Sequence, residues 1–180
     1  MSLPKVINLY AGPGTGKSTT CAALFAELKY RNINTEMVLE FAKEATWENR
    51  GKKLFAAQEY IFAKQHFRLS KIANEVDFVI TDSPLLLSLI YMPKKFNMPS
   101  LKLVIKEAYD AYDNINIFLN RSSHKPYNPK GRNQNEEDAH LLDAYILAML
   151  NVYGLSYHSL DFSRENPKQI INILEEKGWI

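Results

Sequence analysis

The chain has 180 residues, 46% hydrophobic and 23% charged, with a formal net charge of +2. That balance suits one globular domain with a real core, and excludes a disordered, collagen-like or disulfide-stapled chain. The one cysteine, Cys21, cannot form an internal disulfide; no stretch reaches membrane-span length and no signal-peptide pattern opens the chain, so the expected location is the cytoplasm.

A first strand is expected at about Lys5–Tyr10, then Ala11-Gly12-Pro13-Gly14-Thr15-Gly16-Lys17-Ser18, then a helix over about Lys17–Arg31. With Gly-Lys-Ser-Thr between strand and helix, this run reads as a phosphate-binding loop rather than a plain glycine-rich turn. Its glycines let backbone N–H groups turn inward around a polyphosphate, and the helix N-terminus adds a positive dipole end. The expected donor contacts are Gly12, Pro13, Gly14, Thr15, Gly16, Lys17, Ser18 and Thr19. Lys17 is expected to reach the β- and γ-phosphates of ATP, and Ser18 to hold Mg²⁺. Ala11 replaces the usual first glycine, but the inner glycines that shape the cradle are present.

The second strand, about Thr35–Leu39, ends at Glu40. A carboxylate there, facing the γ-phosphate from the neighbouring strand, suits the base that orients or deprotonates an acceptor hydroxyl. Glu44, one helical turn on, is its rival, and either acid also suits a helix start. After a break at Gly51, a long helix over about Lys53–Ala73 carries Gln58, Phe62 and Gln65 at helical spacing. Phe62 is suited to stack a base and a glutamine amide to read its edge; Trp47, Tyr60 and Phe67 are further aromatic candidates. Such an aromatic stripe more often packs a core.

The third strand, about Asp77–Thr81, ends at Asp82, where a Walker B carboxylate contacts magnesium. Asp-Ser-Pro is also good turn chemistry. Many mechanical ATPases carry a water-activating glutamate at the next position; Ser83 here counts against a motor. Pro84 and Pro93 bracket a short apolar segment, followed by a helix over about Ser100–Tyr112 and a fourth strand at Ile115–Leu119.

Residues Asn120–Asn135 lack apolar periodicity and contain Pro126, Pro129 and Gly131, so they read as a loop. Arg121 to Arg132 has the composition of a closing lid. Arg121 and Arg132 are the first choices for phosphate contacts, because the guanidinium fork suits phosphate; Lys125 and Lys130 stand behind them. The surrounding basic segment also holds Lys94, Lys95, Lys102 and Lys106, read mainly as solvated surface. A helix at Glu136–Tyr153, a fifth strand at about Ser156–Leu160 and a last helix from Pro167 to about Lys177 complete the chain. His66 and His124 show no metal-ligand spacing, so no zinc site is expected.

Alternating strands and helices argue for an α/β fold with a parallel sheet covered on both faces. Ligands in such sheets bind beyond the carboxyl ends of the strands. The phosphate loop, Glu40, Asp82 and Arg121 therefore collect at one edge.

The runs Ala11 to Thr20, Glu40-Phe41-Ala42-Lys43-Glu44, Ile61-Phe62-Ala63-Lys64-Gln65-His66, Thr81-Asp82-Ser83-Pro84-Leu85-Leu86 and Gly131-Arg132-Asn133 resemble small P-loop kinases of tailed bacteriophages. These are often described simply as AAA-type ATPases and look related to nicotinamide-riboside kinases; some are 5-hydroxymethyluracil DNA kinases. The resemblance covers the chain from Val6 to about Tyr153. It implies a P-loop NTPase three-layer sandwich: a five-stranded parallel sheet of order 2-3-1-4-5, helices on both faces and a lid at about 120–135, in one domain over 1–180. It also implies an Mg-ATP donor held at Gly12–Thr19, a magnesium role for Asp82 and a hydroxyl acceptor; Glu44, Gln58, Phe62 and Gln65 remain the acceptor candidates read from their spacing. The leading acceptor is the hydroxymethyl group of 5-hydroxymethyluracil in phage DNA, a base that must be flipped out or presented single-stranded. A free nucleoside or nucleoside monophosphate competes with it. A non-kinase ATPase is the alternative, and a GTPase lacks its Asn-Lys-x-Asp motif. No membrane partner is expected.

Overall fold

The structure is a computed structural model that describes residues 3–48, 57–92, 98–122 and 135–180. Residues 5–10 read Lys-Val-Ile-Asn-Leu-Tyr, with no glycine or proline, and Val6 to Tyr10 are all buried. Burial of odd and even positions alike means that both faces of the strand are covered. Around this strand (β1, Lys5–Tyr10) the described elements are α1 (Lys17–Tyr30), β2 (Thr35–Val38), α2 (Phe41–Trp47), α3 (Gln58–Ser70), β3 (Phe78–Thr81), α4 (Leu87–Ile90), α5 (Pro99–Asp110), β4 (Asp113–Asn120), α6 (Glu136–Val152), β5 (His158–Asp161) and α7 (Asn166–Glu176).

The strands form one five-stranded sheet of order β2-β3-β1-β4-β5. Every pairing is parallel, with Ile7 opposite Ile80 and Ile115, and Phe118 opposite Ser159. This is the expected order, and it is the sheet of the P-loop NTPase kinase folds.

Alternation along the strands sorts side chains into two cores. Val6 and Tyr10 join Phe62, Leu86, Ile105, Ile146 and Leu150 on one face. Ile7 and Leu9 join Leu24 and Leu28 of α1, and Ile170, Ile171 and Leu174 of α7, on the other. Full burial of each such side chain contributes about 1.5–3 kcal/mol. Cys21 packs in the second core, and burial pushes its thiol pKa well up, so it is a packing residue.

Three expected boundaries differ. β4 begins at Asp113 rather than Ile115, because it pairs with β1 from Asp113 to Phe118. Its asparagines hide this from an apolar pattern, yet they are satisfied. Asn8 Nδ2 donates to Asn114 Oδ1 at 2.8 Å, and Tyr109 donates its hydroxyl to Asn116 Oδ1 at 3.0 Å. β5 starts at His158, and as an exposed edge strand it carries little apolar signal. The segment after Pro84 contains the short helix α4. The long helix is described from Gln58 onward; its expected start at Lys53 and the break at Gly51 lie outside the described residues. Among the described residues no helix is long and apolar enough to cross a membrane.

Candidate active site

The carboxyl ends of the five strands share one edge, and the residues beyond them are the phosphate loop, Glu40, Asp82, Arg121 and Phe162. Four of these were expected there from strand order; Phe162 was not.

The loop between β1 and α1 turns on glycine. Gly14 has φ 85° and Gly16 φ 126°, both in the region that L side chains avoid. At Gly16 a Cβ would also run into the Phe162 ring. Phe162 is held there because its N–H donates to Asn120 O at 3.0 Å, tying the end of β5 to the end of β4. Thr15 is buried and donates to Gly12 O at 3.2 Å, closing the loop on itself. Pro13 is half-buried and Thr19 exposed at the start of α1.

Lys17 curls back over the loop. Its Nζ donates to Ala11 O at 2.6 Å and Gly12 O at 3.1 Å. Burial lowers its pKa from the ordinary 10.5. The carboxylates of Glu40, Asp82 and Asp143 oppose that shift, in decreasing order, and Arg121 adds to it. One ammonium thus feels three acids and a second cation, and these lie on four different segments.

Asp82 is buried at 3% exposure, with both oxygens partnered. Oδ2 accepts from the Ser18 hydroxyl at 2.5 Å and Oδ1 from the Glu40 N–H at 3.0 Å. The ends of β2 and β3 are braced by Thr81, whose hydroxyl donates to Val38 O at 2.9 Å and accepts from Ser83 N–H at 3.1 Å. A hydroxyl and a carboxylate in contact at a helix N-terminus are hard oxygen donors of the kind magnesium takes beside phosphate. The chemistry of Ser18 and Asp82 therefore fits the expected metal. Among the described residues, no group of three or more His, Cys, Asp or Glu side chains could hold a metal on protein ligands alone.

The two candidate bases part company. Glu40 caps α2, is half-buried, and is the strongest electrostatic partner of Lys17. Glu44 faces outward and pairs with Arg68 of α3, Nη1 to Oε1 at 2.9 Å and Nη2 to Oε2. The bond to Arg68 holds its carboxyl below the usual range.

Of the acceptor candidates, Gln58, Phe62 and Gln65 share the buried face of α3. Phe62 is 5% exposed and stacks on His66 with centroids 5.6 Å apart. Gln65 Oε1 accepts the Phe41 N–H at 3.1 Å, joining α3 to α2, while its Nε2 has no hydrogen-bond partner among the described residues. Trp47, Tyr60 and Phe67 are exposed. Arg132, Lys125, Lys130 and His124, with most of the expected lid, lie outside the described residues.

Asp143 was missed. Its Oδ1 accepts the Gly12 N–H at 2.5 Å and its Oδ2 accepts Arg121 Nε at 2.5 Å. Arg121 Nη2 also donates to Ala139 O at 3.1 Å. The available signal was positional. Ala139, Ile146 and Leu150 are buried residues of α6, and Asp143 stands in their helical stripe as the one charge. A carboxylate on a core-facing stripe requires a partner.

A family model described as an AAA domain matches residues 6–166. The chain belongs to this AAA-domain family. No curated protein sequence matches it. Among solved structures, NadR in complex with NAD and AMP-PNP is similar at TM-score 0.74 and 17% identity, over 98% of this chain and 50% of that one. NadR in complex with NR is similar at TM-score 0.74 and 19% identity, over 98% and 52%. Shikimate kinase from Aquifex aeolicus is similar at TM-score 0.50 and 14% identity, over 96% and 98%. This AAA-domain protein thus spans about half the length of the NadR chains it matches, and at these identities the likeness is one of fold.

Proposed function

We propose that the chain is an ATP-dependent kinase that transfers the γ-phosphate to a hydroxyl of a nucleoside-like acceptor. The observation that carries this reading is the contact of Ser18 with Asp82 beside Lys17, with Glu40 as the strongest carboxylate acting on that lysine. The N–H groups from Gly14 to Ser18 would hold the donor phosphates, since Gly12 N–H is taken by Asp143. Ser18 and Asp82 would hold Mg²⁺, which supplies charge neutralisation at the phosphates. Lys17 swings from Ala11 O and Gly12 O to the phosphate oxygens, exchanging neutral acceptors for charged ones. Glu40 accepts the acceptor's hydroxyl proton as the new O–P bond forms. The bond from the γ-phosphorus to the bridging oxygen breaks, and ADP leaves with that electron pair. Ser83 stands where a water-activating acid would serve a motor ATPase.

The motif resemblance supports 5-hydroxymethyluracil in DNA as the acceptor. A second reading, a free nucleoside, is favoured by two observations: Phe62 is packed in the core rather than presented for stacking, and the fold is that of a protein solved with NR.

The deciding experiment offers γ-labelled ATP with hydroxymethyluracil DNA, unmodified DNA, nucleosides and nucleoside monophosphates in parallel. Label on the modified DNA alone establishes the first acceptor, and label on a nucleoside the second. Label on none, with ATP still hydrolysed, sinks the kinase reading in favour of an ATPase.

A further inference from the structure

Asp143 and Arg121 form the described ion pair that lies against the phosphate loop, and both are largely enclosed, at 17% and 16% side-chain exposure. Each oxygen of the carboxylate is used, one by the Gly12 N–H and one by Arg121 Nε. Arg121 spends Nη2 on Ala139 O, one turn before Asp143 on α6. Two anchor points fix the plane of a guanidinium, and the third nitrogen, Nη1, has no partner among the described residues, so it is open to another anion.

The packing requires glycine at position 12. A Cβ there would lie 2.5 Å from Ala139 O, 2.7 Å from Arg121 Nη2 and 2.9 Å from Asp143 Oδ1. α6 starts upstream at a capping box: Asn135 Oδ1 accepts Asp138 N–H at 2.7 Å, and Asp138 accepts Asn135 N–H at 3.4 Å. The result places a second cation at the start of the loop, within electrostatic range of the Lys17 ammonium.

We propose that Asp143 is a positioning residue that holds Arg121, already charge-paired, at the γ-phosphate side of the loop before the donor arrives. Two unpaired cations facing one another in a ligand-free loop repel. Asp143 removes that cost and fixes the guanidinium where a third phosphate would reach it. The inference rests on the donor-site reading above, and concerns discrimination between triphosphate and diphosphate rather than the acceptor.

The test is calorimetric titration of Mg²⁺ with a non-hydrolysable ATP analogue, and separately with ADP, into wild type, Asp143→Asn, Arg121→Ala and the double variant. Asp143→Asn keeps the side-chain shape and a carbonyl oxygen for the Gly12 N–H, so its fold is retained; thermal unfolding checks this. Asp143→Asn is expected to weaken the ATP analogue at least about fivefold and ADP less than about twofold. The double variant is expected to be no weaker than Arg121→Ala alone, because the two residues act as one unit. Asp143→Glu is expected to recover part of the loss. An analogue-to-ADP ratio unchanged in Asp143→Asn overturns the inference. So does tighter analogue binding, which would make Asp143 a competitor of the γ-phosphate. If wild type binds neither nucleotide, the donor-site reading itself falls.

Discussion

The donor side and the acceptor side of this site are built differently. The donor side is a contiguous loop, from Ala11 to Thr19, whose geometry is backbone: two glycines at positive φ, a lysine folded over its own carbonyls and a serine opening a helix. The proposed acceptor side is side chains alone, drawn from α2 and α3, and most are already engaged with protein partners. Glu44 is paired with Arg68, Phe62 is stacked on His66 and Gln65 accepts the Phe41 N–H. A backbone cradle binds what all nucleoside triphosphates share. Side chains from two helices can be exchanged without disturbing it, which is how one fold serves many acceptors.

Substitutions that strike the donor side are therefore expected to cost most. Lys17→Ala is expected to lower kcat/KM for ATP by about a thousandfold or more. Its unfolding temperature should match or exceed that of wild type, because a lysine whose charge is disfavoured by burial costs stability at neutral pH. Turnover near the wild-type rate would remove Lys17 from the mechanism. Gly16→Ala is expected to match that loss in nucleotide binding, since the new methyl meets both the strained φ and the Phe162 ring. Calorimetry with Mg-ADP checks it, and unaltered affinity would mean the loop tolerates a rearranged Phe162.

Where the two sides meet, Glu40→Gln is expected to reduce kcat about a hundred- to ten-thousandfold with a small change in the KM for ATP. A wild-type kcat would show that another group takes the proton. A smaller effect concerns pH. The free-protein pKa of Lys17 is lowered from 10.5 by burial, and phosphate favours its charged form. The kcat/KM for ATP should fall as pH rises through that lowered value, so the alkaline limb lies below 10.5. A limb in kcat/KM at or above the ordinary lysine value would contradict the burial of Lys17. Smallest of all, Glu44→Gln is expected to stay within about fivefold of wild type, since an exposed ion pair contributes at most about 1 kcal/mol. A loss as large as that of Glu40→Gln would exchange the roles of the two acids.

The legible residues share a property: each is placed by its own strand. Glu40 and Asp82 end β2 and β3, so knowing that ligands bind beyond strand ends was enough to bring them to the loop. Arg121 was found by the same rule. Its orientation was not, because that depends on α6, which is eighteen residues away at Ala139. Phe162 and the contacts of Asp143 were hidden for a related reason. One lies beyond a short, exposed edge strand with little apolar pattern. The other is a single acid in a helix whose register against β1 no local signal states. Phe62 shows the reverse case: periodicity put it on one face of α3 and favoured core packing, and the structure buries it there.

By itself, then, the order of residues determined the phosphate loop, the strand-helix alternation, the parallel sheet and the acids at its edge, because these follow from local backbone chemistry and from burial on two faces. Tertiary structure alone decided which acid faces Lys17, which is spent on Arg68, and how Arg121 is turned. Those choices depend on charges brought within a few ångströms from distant segments. Coulomb and hydrogen-bond energies at that range change with geometry that no run of sequence specifies.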